Sequence, residues 1–429
     1  MRRRICGLIS ICLAAACLAG CGGADAPVPG GEQSAGSDSS ESGSLPEQAG
    51  ADRSGAPTGL PAVAISGSQP EEDEFTIKRP LDGTPEAIIL QITQMRLQPY
   101  RSAGDLDAPA SQEDVEEQRT ARRQRNLKII ELAEEAIAMT HQNRDKEQIF
   151  NIAVHRLMDA TYQLAMQGDN DAVDQLYGHA ESLYARDPES KAASESAWFV
   201  ARYSNENAER FADQDIRWVQ EFSRQSRAFA DKFPQDRQRA VGLLHDSSMT
   251  CDYWGLRQEA IQCYTALQQK FPETPQAARA TGPLRRLGLP GKLLDLGGPT
   301  LDGGFLQVTD FKGSPVLIVF WSSQAKPFVT QVSAILATVS KHEKNGLQVI
   351  GVNLDLEEPD LDAFLEQTGI GWRTVFHQDK SRRSWDHPVA SYYGVQSIPQ
   401  FWLVDTAGKV VTTTVQSGNL DAALTDLLQ

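Results

Sequence analysis

Cysteine is scarce in this 429-residue chain, and most of it stands near the N-terminus. Four of the six cysteines lie within the first 21 residues, and only Cys251 and Cys263 come later. These two do not form a Cys-x-x-Cys motif, and neither has the neighbouring basic group or helix N-terminus that lowers a thiol pKa. We expect them to be buried thiols in packed helices; a disulfide in an oxidising compartment is the alternative.

Basic residues are in the minority as well. The chain has 41 Lys and Arg against 57 Asp and Glu, a formal net charge of −16. Such a balance repels phosphate backbones, so nucleic acid is not an expected partner. No glycine-rich loop between a strand and a helix suggests a nucleotide site, and no His or Cys cluster has the spacing of metal ligands. We therefore expect no metal and no other cofactor.

The apolar run near the N-terminus, residues 5–16, is too short to span a bilayer comfortably. It follows three arginines and precedes Leu18-Ala-Gly-Cys21, an order typical of a secretory signal. Removal of residues 1–20 would leave 38 basic and 57 acidic residues, a charge of −19.

The Leu-Ala-Gly-Cys tract resembles the lipobox of bacterial lipoproteins, in which the cysteine is acylated and becomes the mature N-terminus. The resemblance implies a signal peptide over residues 1–20 and a lipid anchor on Cys21 that attaches the protein to a membrane of the bacterial envelope, facing the periplasm. Gly22, in place of an Asp after the cysteine, favours the outer membrane over the inner one. An ordinary signal peptide with an incidental cysteine is the alternative.

Aromatic residues are almost missing from residues 21–83, which are rich in Gly, Ser, Pro, Ala and Glu. Because this segment has too little apolar surface to bury, we predict a disordered tether. Ordered structure is predicted to begin at Thr84-Pro85, where an N-cap hydroxyl precedes a proline suited to the first helical position.

Residues 84–290 have a helical pattern with weak internal similarity. Gly168 and Gly255 each open a similar stretch that ends in a proline, and such prolines stand at 188, 234 and 272. Glycine permits a tight turn between helices and proline stops the second helix. The pattern resembles tetratricopeptide helix hairpins, although the spacings of 46 and 38 residues between the prolines differ from the family's 34-residue period. An irregular helical bundle is the alternative.

Residues 291–429 alternate short apolar runs with amphipathic stretches, which indicates an α/β fold after a hinge at 287–291. Residues 316–320 read as a strand buried on both faces, and Trp321-Ser-Ser-Gln-Ala-Lys-Pro-Phe328 follows into a helix predicted over 326–341. Gly394-Val-Gln-Ser-Ile-Pro399 comes about 70 residues later. This order resembles the active-site region of thioredoxins, most closely the TlpA-like redoxins, over about a third of the chain.

In those redoxins the strand ends Phe-Trp and a Cys-x-Pro-Cys turn follows. The resemblance places Ala325 and Phe328 at the two cysteine positions and keeps Pro327 between them. Thiol–disulfide exchange needs a thiolate nucleophile and a second sulfur, and neither residue supplies one. The resemblance therefore implies a redox-inert domain and no enzyme, although the activity of the family is thiol-disulfide oxidoreduction.

The family's proline before the following strand is cis, and the residue before it offers backbone hydrogen bonds to a bound peptide. By resemblance these are Pro399 and Ile398. We predict a groove for a protein or peptide client, formed by Trp321, Pro327, Phe328, Ile398 and Pro399. Alternatively, Phe328 only fills the space left by the missing thiol. The nearby His377 and His387 are expected on a surface loop.

Three functions remain open on the sequence alone. The preferred one is a membrane-anchored protein that acts in binding or assembly through its helical repeats and its thioredoxin-like groove. The second is a thiol oxidoreductase or antioxidant protein that uses Cys251 and Cys263. In the third, the thioredoxin fold is retained as a structural cap on the helical region.

Overall fold

The computed structural model describes residues 80–98 and 112–429. The predicted signal peptide, Cys21 and nearly all of the predicted tether lie outside these residues. Within the described ranges, no helix is both long enough and apolar enough to cross a membrane.

The described residues before 288, namely 80–98 and 112–287, form helices and no strands. Their described bounds are α1 Pro85–Leu97, α2 Gln112–Thr140, α3 Glu147–Met166, α4 Asn170–Arg186, α5 Lys191–Phe211, α6 Arg217–Lys232, α7 Arg237–Tyr253, α8 Arg257–Lys270, α9 Pro275–Arg279 and α10 Thr281–Leu287. The predicted entry is confirmed, since Thr84 caps α1 by accepting the N–H of Ala87 at 3.3 Å, with Pro85 as the first helical residue.

The turns between these helices follow the signals in the sequence. Gly168 joins α3 to α4 and Gly255 joins α7 to α8, with φ of 89° and 74°, a left-handed conformation that favours glycine. Pro188, Pro234 and Pro272 each stand two residues beyond the last residue of α4, α6 or α8. Three pairs of helices, α3–α4, α5–α6 and α7–α8, are therefore joined by short turns and closed by prolines.

The C-terminal domain contains seven strands and five helices. In chain order they are β1 Gly297–Pro299, β2 Phe305–Gln307, β3 Val316–Trp321, α11 Lys326–Val329, α12 Val332–Glu343, β4 Gln348–Asn353, α13 Glu358–Thr368, β5 Arg373–Val375, α14 Pro388–Tyr393, β6 Gln400–Val404, β7 Val410–Val415 and α15 Leu420–Leu427. A helical region followed by a thioredoxin-like α/β fold is thus confirmed.

The central sheet has the order β5-β4-β3-β6-β7. β3 pairs in parallel with β4 and antiparallel with β6, and β1 and β2 form a separate hairpin. Alternate residues of β3 face opposite sides. Val316, Ile318 and Phe320 join the core beneath α14, whereas Leu317, Val319 and Trp321 join the core beneath α12 and α15.

The single helix predicted over 326–341 is wrong: the chain forms two helices with a break at Thr330 and Gln331. The Thr330 hydroxyl donates to the carbonyl of Lys326 at 3.0 Å and to that of Pro327 at 3.3 Å. Thr161 makes the same kind of bond to the Leu157 carbonyl at 2.9 Å within the unbroken α3, so this contact does not by itself explain the break. Val329, the last residue of α11, is 40% exposed.

The segment 287–291, predicted as a hinge, packs against both parts of the chain. Leu287 is buried in the core of the helical region and Leu289 in the core of the C-terminal domain. The N–H of Gly291 donates to the carbonyl of Val410 at 2.8 Å, which fixes the segment beside β7. The connection is therefore held at both ends.

Candidate functional site

The turn after β3 is held by a buried carboxylate at the end of β4. Because β3 and β4 are parallel, their carboxyl ends meet at one edge of the sheet. There Asp355 accepts from the Ser322 hydroxyl at 2.5 Å, from the Ser323 N–H at 2.9 Å and from the Asn353 amide at 2.8 Å. The Ser322 oxygen also accepts the N–H of Gln324 at 3.1 Å, so this hydroxyl serves to fix the turn.

Phe328 points into the domain and not into a groove. Its ring is fully buried, 5.0 Å from the ring of Trp321 and 6.2 Å from the ring of Phe364 between centroids. Trp321 is fully buried too, since the alternation along β3 turns it towards α12. The prediction that Trp321 and Phe328 line a binding groove is therefore wrong, and the alternative of a filled turn agrees with the packing.

The other predicted groove residues stay at the surface. Ile398–Pro399 is a cis peptide bond, as the resemblance implied. Ile398 and Pro399 are half-buried and Pro327 is exposed. We refer to residues 396–400 as the cis-proline loop; it lies directly before β6.

A cleft of about 340 Å³ lies beside this loop and has walls from both parts of the chain. The helical wall comes from α7 and α10. The other wall comes from the cis-proline loop, from α11 and the break that follows it, and from the end of β7 with the two residues after it. The lining residues are Met249, Asp252, Tyr253, Arg286, Pro327, Gln331, Gln396, Ser397, Ile398, Pro399, Gln400, Thr414, Val415, Gln416 and Ser417.

Close packing holds the two walls together. Gly282 at the start of α10 lies back to back with Gly394 at the end of α14, and a Cβ added to Gly282 would fall 2.7 Å from the Gly394 Cα. Beside them, the Arg285 guanidinium donates to the Tyr392 carbonyl and lies 3.6 Å from the centre of the Tyr392 ring. Across the cleft, the Gln416 amide donates to the Tyr253 carbonyl at 2.5 Å.

A buried ion pair forms part of the helical wall. Arg286 and Asp252 pair through two hydrogen bonds, and their side chains are only 1% and 9% exposed. Tyr264 lies nearby; burial, with the Asp252 charge second, raises the pKa of its phenol. The Tyr264 hydroxyl donates to the side-chain amide oxygen (Oε1) of Gln396 at 3.4 Å, which links the helical core to the cis-proline loop.

Cys251 and Cys263 are both free and fully buried in the helical core. Burial, together with the neighbouring Cys263, raises the pKa of the Cys251 thiol to about 12. Hydroxyls of Ser223 and Ser247 lie 3.3 Å and 3.4 Å from the Cys263 sulfur. The pair is therefore present as buried thiols and not as a disulfide.

The expectation of surface histidines is wrong. His387 is fully buried and His377 is 8% exposed, with ring centroids 5.1 Å apart. His387 caps α14 by accepting the Val389 N–H at 3.2 Å, and burial lowers its pKa to about 3. Arg383 anchors the preceding loop by donating to the His377 carbonyl at 2.6 Å. In the described ranges, no group of three or more His, Cys, Asp or Glu side chains could hold a metal ion.

Comparison with known proteins agrees with this geometry. Residues 291–413 match the model of the AhpC/TSA family. They form an AhpC/TSA-type redoxin domain. The matched range holds the sheet, the turn after β3 and the cis-proline loop, but residues 264–429 contain no cysteine.

The curated relatives that match are redox proteins. The thiol-disulfide oxidoreductase ResA of Bacillus thuringiensis (strain Al Hakam) is 26% identical over 111 residues, which cover 26% of this chain and 60% of ResA. The chloroplastic peroxiredoxin Q of Gentiana triflora is 30% identical over 111 residues, covering 25% of this chain and 50% of that protein. This chain thus spans about 60% of the length of ResA.

A solved thioredoxin domain, from a thiol-disulfide oxidoreductase of Bacteroides vulgatus, aligns with 24% identity and a TM-score of 0.30. The alignment covers 33% of this chain and 98% of that domain.

Proposed function

We propose that this chain is a redox-inactive binding protein that holds a protein or peptide client at the edge formed by the cis-proline loop. The observation that carries the proposal is the contrast between the two parts of the redoxin site. No thiol exists in residues 264–429, and the buried Phe328 ring fills the turn where the family carries its second cysteine. The loop of Ile398 and Pro399, which needs no cysteine to bind a peptide, still opens onto a cleft.

The proposal includes an anchor. We infer that Cys21 is acylated and that the tether 21–83 holds the folded part at an envelope membrane, facing the periplasm, with the outer membrane favoured over the inner one. Acyl chains on one cysteine provide the multiple hydrophobic signals that stable anchoring requires. Metabolic labelling with an alkyne fatty acid should mark the chain, and Cys21→Ser should abolish the label. A labelled Cys21→Ser variant would refute the anchor.

The client is tested by photo-crosslinking in the native host. A benzophenone amino acid replaces Ser397, which is exposed in the cleft. The matched control carries the same group at Ser333, an exposed serine of α12 outside the cleft. We expect a discrete protein adduct from position 397 that is absent from position 333 and lost when Ile398→Asp is added. Equal labelling from both positions, or none, would refute binding at this edge.

A second candidate is a structural cap on the helical region. The back-to-back packing of Gly282 and Gly394 and the contact of Arg285 with Tyr392 favour it. A cap depends on its support, so residues 291–429 expressed alone should unfold at much lower urea concentration than the same domain in the whole chain. If the isolated domain is equally stable, the cap is not its purpose.

A further inference from the structure

The cleft has a helical wall, and this wall determines what can enter. We propose that the helical region forms half of the binding site, and that the cleft takes a short, extended, uncharged peptide segment. The inference rests on the proposed function, because it specifies which ligand binds at the edge formed by the cis-proline loop.

The helical wall is a fixed part of the site. Gly282 and Gly394 bring α10 and α14 into backbone contact, and Gln416 of the other wall donates to the Tyr253 carbonyl at the end of α7. Close-packed interfaces resist continuous deformation. A ligand therefore meets the cis-proline loop together with Met249 and Tyr253, which are 39% and 57% exposed.

The size of the cleft excludes a folded surface. Its volume of about 340 Å³ lies at the lower end of ligand pockets, which span about 300–1,000 Å³. Such a space suits a few residues of a flexible loop or chain end. A folded client would have to present a protruding segment to reach the loop.

The charge of the lining selects against charged ligands. Among the described residues that line the cleft, Asp252 and Arg286 are the only charged ones, and they neutralise each other through two hydrogen bonds. A charged ligand group would leave water without meeting an unpaired opposite charge, which is costly. The site therefore favours uncharged segments, in contrast to the strongly acidic chain around it.

The polar groups of the lining match a peptide main chain. Four glutamine side chains, at 331, 396, 400 and 416, converge there with the hydroxyls of Ser397, Thr414 and Ser417. The side-chain amide oxygens of Gln396 and Gln400 already accept hydrogen bonds, from the Tyr264 hydroxyl and from the Trp402 indole N–H. In the described part of the chain, the NH₂ groups of these two side chains meet no intramolecular acceptor. They remain available to peptide carbonyls, because each residue of an extended segment offers one carbonyl and one N–H.

The neighbouring strand adds main-chain groups. β7 lies at the edge of the sheet, and Thr414 and Val415 at its end line the cleft. Edge strands present backbone groups to extended peptides. The Thr414 N–H already donates to the Thr412 hydroxyl at 3.2 Å, so a peptide that pairs here would have to bond to the carbonyls of this edge. Ile398, Pro399 and Val415 supply apolar surface for the side chains of the segment.

The test uses the full chain and three pools of pentapeptides with blocked ends, each labelled with an uncharged fluorescent dye. The central residue is uncharged in the first pool, Asp in the second and Lys in the third, and binding is followed by fluorescence anisotropy. We expect the uncharged pool to bind at least tenfold more tightly than either charged pool. Tighter binding of a charged pool, or binding of no pool, would overturn the inference.

Variants of each wall locate the ligand. Met249→Arg and Tyr253→Arg place a charge on the helical wall, and Ser397→Arg places one on the cis-proline loop. Gln258→Arg, on an exposed position of α8 outside the cleft, is the control for added charge. All three cleft variants should lose at least tenfold in affinity for the uncharged pool, while Gln258→Arg keeps it.

The two proposals fail in different ways. Loss of binding in Ser397→Arg alone, with Met249→Arg and Tyr253→Arg unaffected, would overturn the role of the helical wall and leave the cis-proline edge as the site. If no client binds at the cis-proline edge, the specific crosslink from position 397 would be absent instead.

Discussion

The turn after β3 and the cis-proline loop are the two parts of one redoxin site, and they differ in what they retain. The turn is closed: Asp355 holds its backbone, and Phe328 fills the space beneath it. The loop is open: Ile398 and Pro399 face a cleft of about 340 Å³. The turn after β3 is therefore part of the core, whereas the cis-proline loop is accessible.

Under the proposed function, this difference explains how a binding edge persists without a reaction. A thiol at the start of α11 must be reachable by a disulfide, whereas a phenylalanine there gains by burial. Hydrogen bonds from a loop and an edge strand depend on backbone position and not on a reactive side chain. Substitutions should therefore affect folding on the closed side and binding on the open side.

The largest expected effect on stability comes from removing the Phe328 ring beneath the turn after β3. Phe328→Ala removes a fully buried ring that packs on Trp321 and Phe364, and it should lower the free energy of unfolding by about 3–5 kcal/mol. Urea denaturation measures the change. The neighbouring Val329, which is 40% exposed, is the control, and Val329→Ala should cost far less. Equal effects of the two substitutions would mean that Phe328 does not support the domain.

A smaller effect is expected from the carboxylate that holds the turn. The Asp355 carboxylate accepts from three donors, the Ser322 hydroxyl, the Ser323 N–H and the Asn353 amide. Asp355→Asn turns one of its two accepting oxygens into an NH₂ group, which is itself a donor. One buried donor is left unsatisfied, which should cost about 1–3 kcal/mol in urea denaturation. Asp360→Asn, at an exposed carboxylate that accepts from Gln324 at 3.3 Å, should stay within about 0.5 kcal/mol of the parent.

The fold was largely predictable because its signals are local. The apolar run of β3 and the turns at Gly168 and Gly255 are visible in short windows of sequence and appear in the structure where they are predicted. The break at Thr330 and Gln331 was missed, since the apolar positions Val329, Val332 and Ile335 keep a helical spacing across it. Helical periodicity alone does not reveal such a break.

The site was only partly predictable because burial there depends on distant residues. The resemblance to the redoxins was enough to predict a cis bond at Pro399. It did not reveal that Phe328 would meet Phe364, or that His387 would be buried as a cap of α14. The helical wall depends on the contact of Gly282 with Gly394, 112 residues apart in the chain, and the two glycines carry no local signal of it.

That contact gives a third prediction, on the open side. Gly282→Ala would place a Cβ 2.7 Å from the Gly394 Cα, and such overpacking should cost about 1–3 kcal/mol. Gly178→Ala, in α4 with no atom within 4 Å of the added Cβ, should instead stabilise the chain by about 0.5–1 kcal/mol. Thermal unfolding should show a lower melting temperature for Gly282→Ala and a higher one for Gly178→Ala. A neutral Gly282→Ala would show that the walls of the cleft are not held by this contact.

The smallest effect is expected where thiols remain, at Cys251 and Cys263. Both are fully buried, and burial raises the pKa of Cys251 to about 12. A native chain that lacks residues 1–21, and with them the other four cysteines, should therefore react with an aromatic disulfide reagent at pH 8 only as fast as it unfolds. Both thiols should react at once in guanidinium, and a Ser397→Cys variant should add one fast-reacting native thiol. Fast native reaction of Cys251 or Cys263 would instead support thiol chemistry in the helical region. It would move the reactive centre away from both parts of the redoxin site, because neither part contains a cysteine.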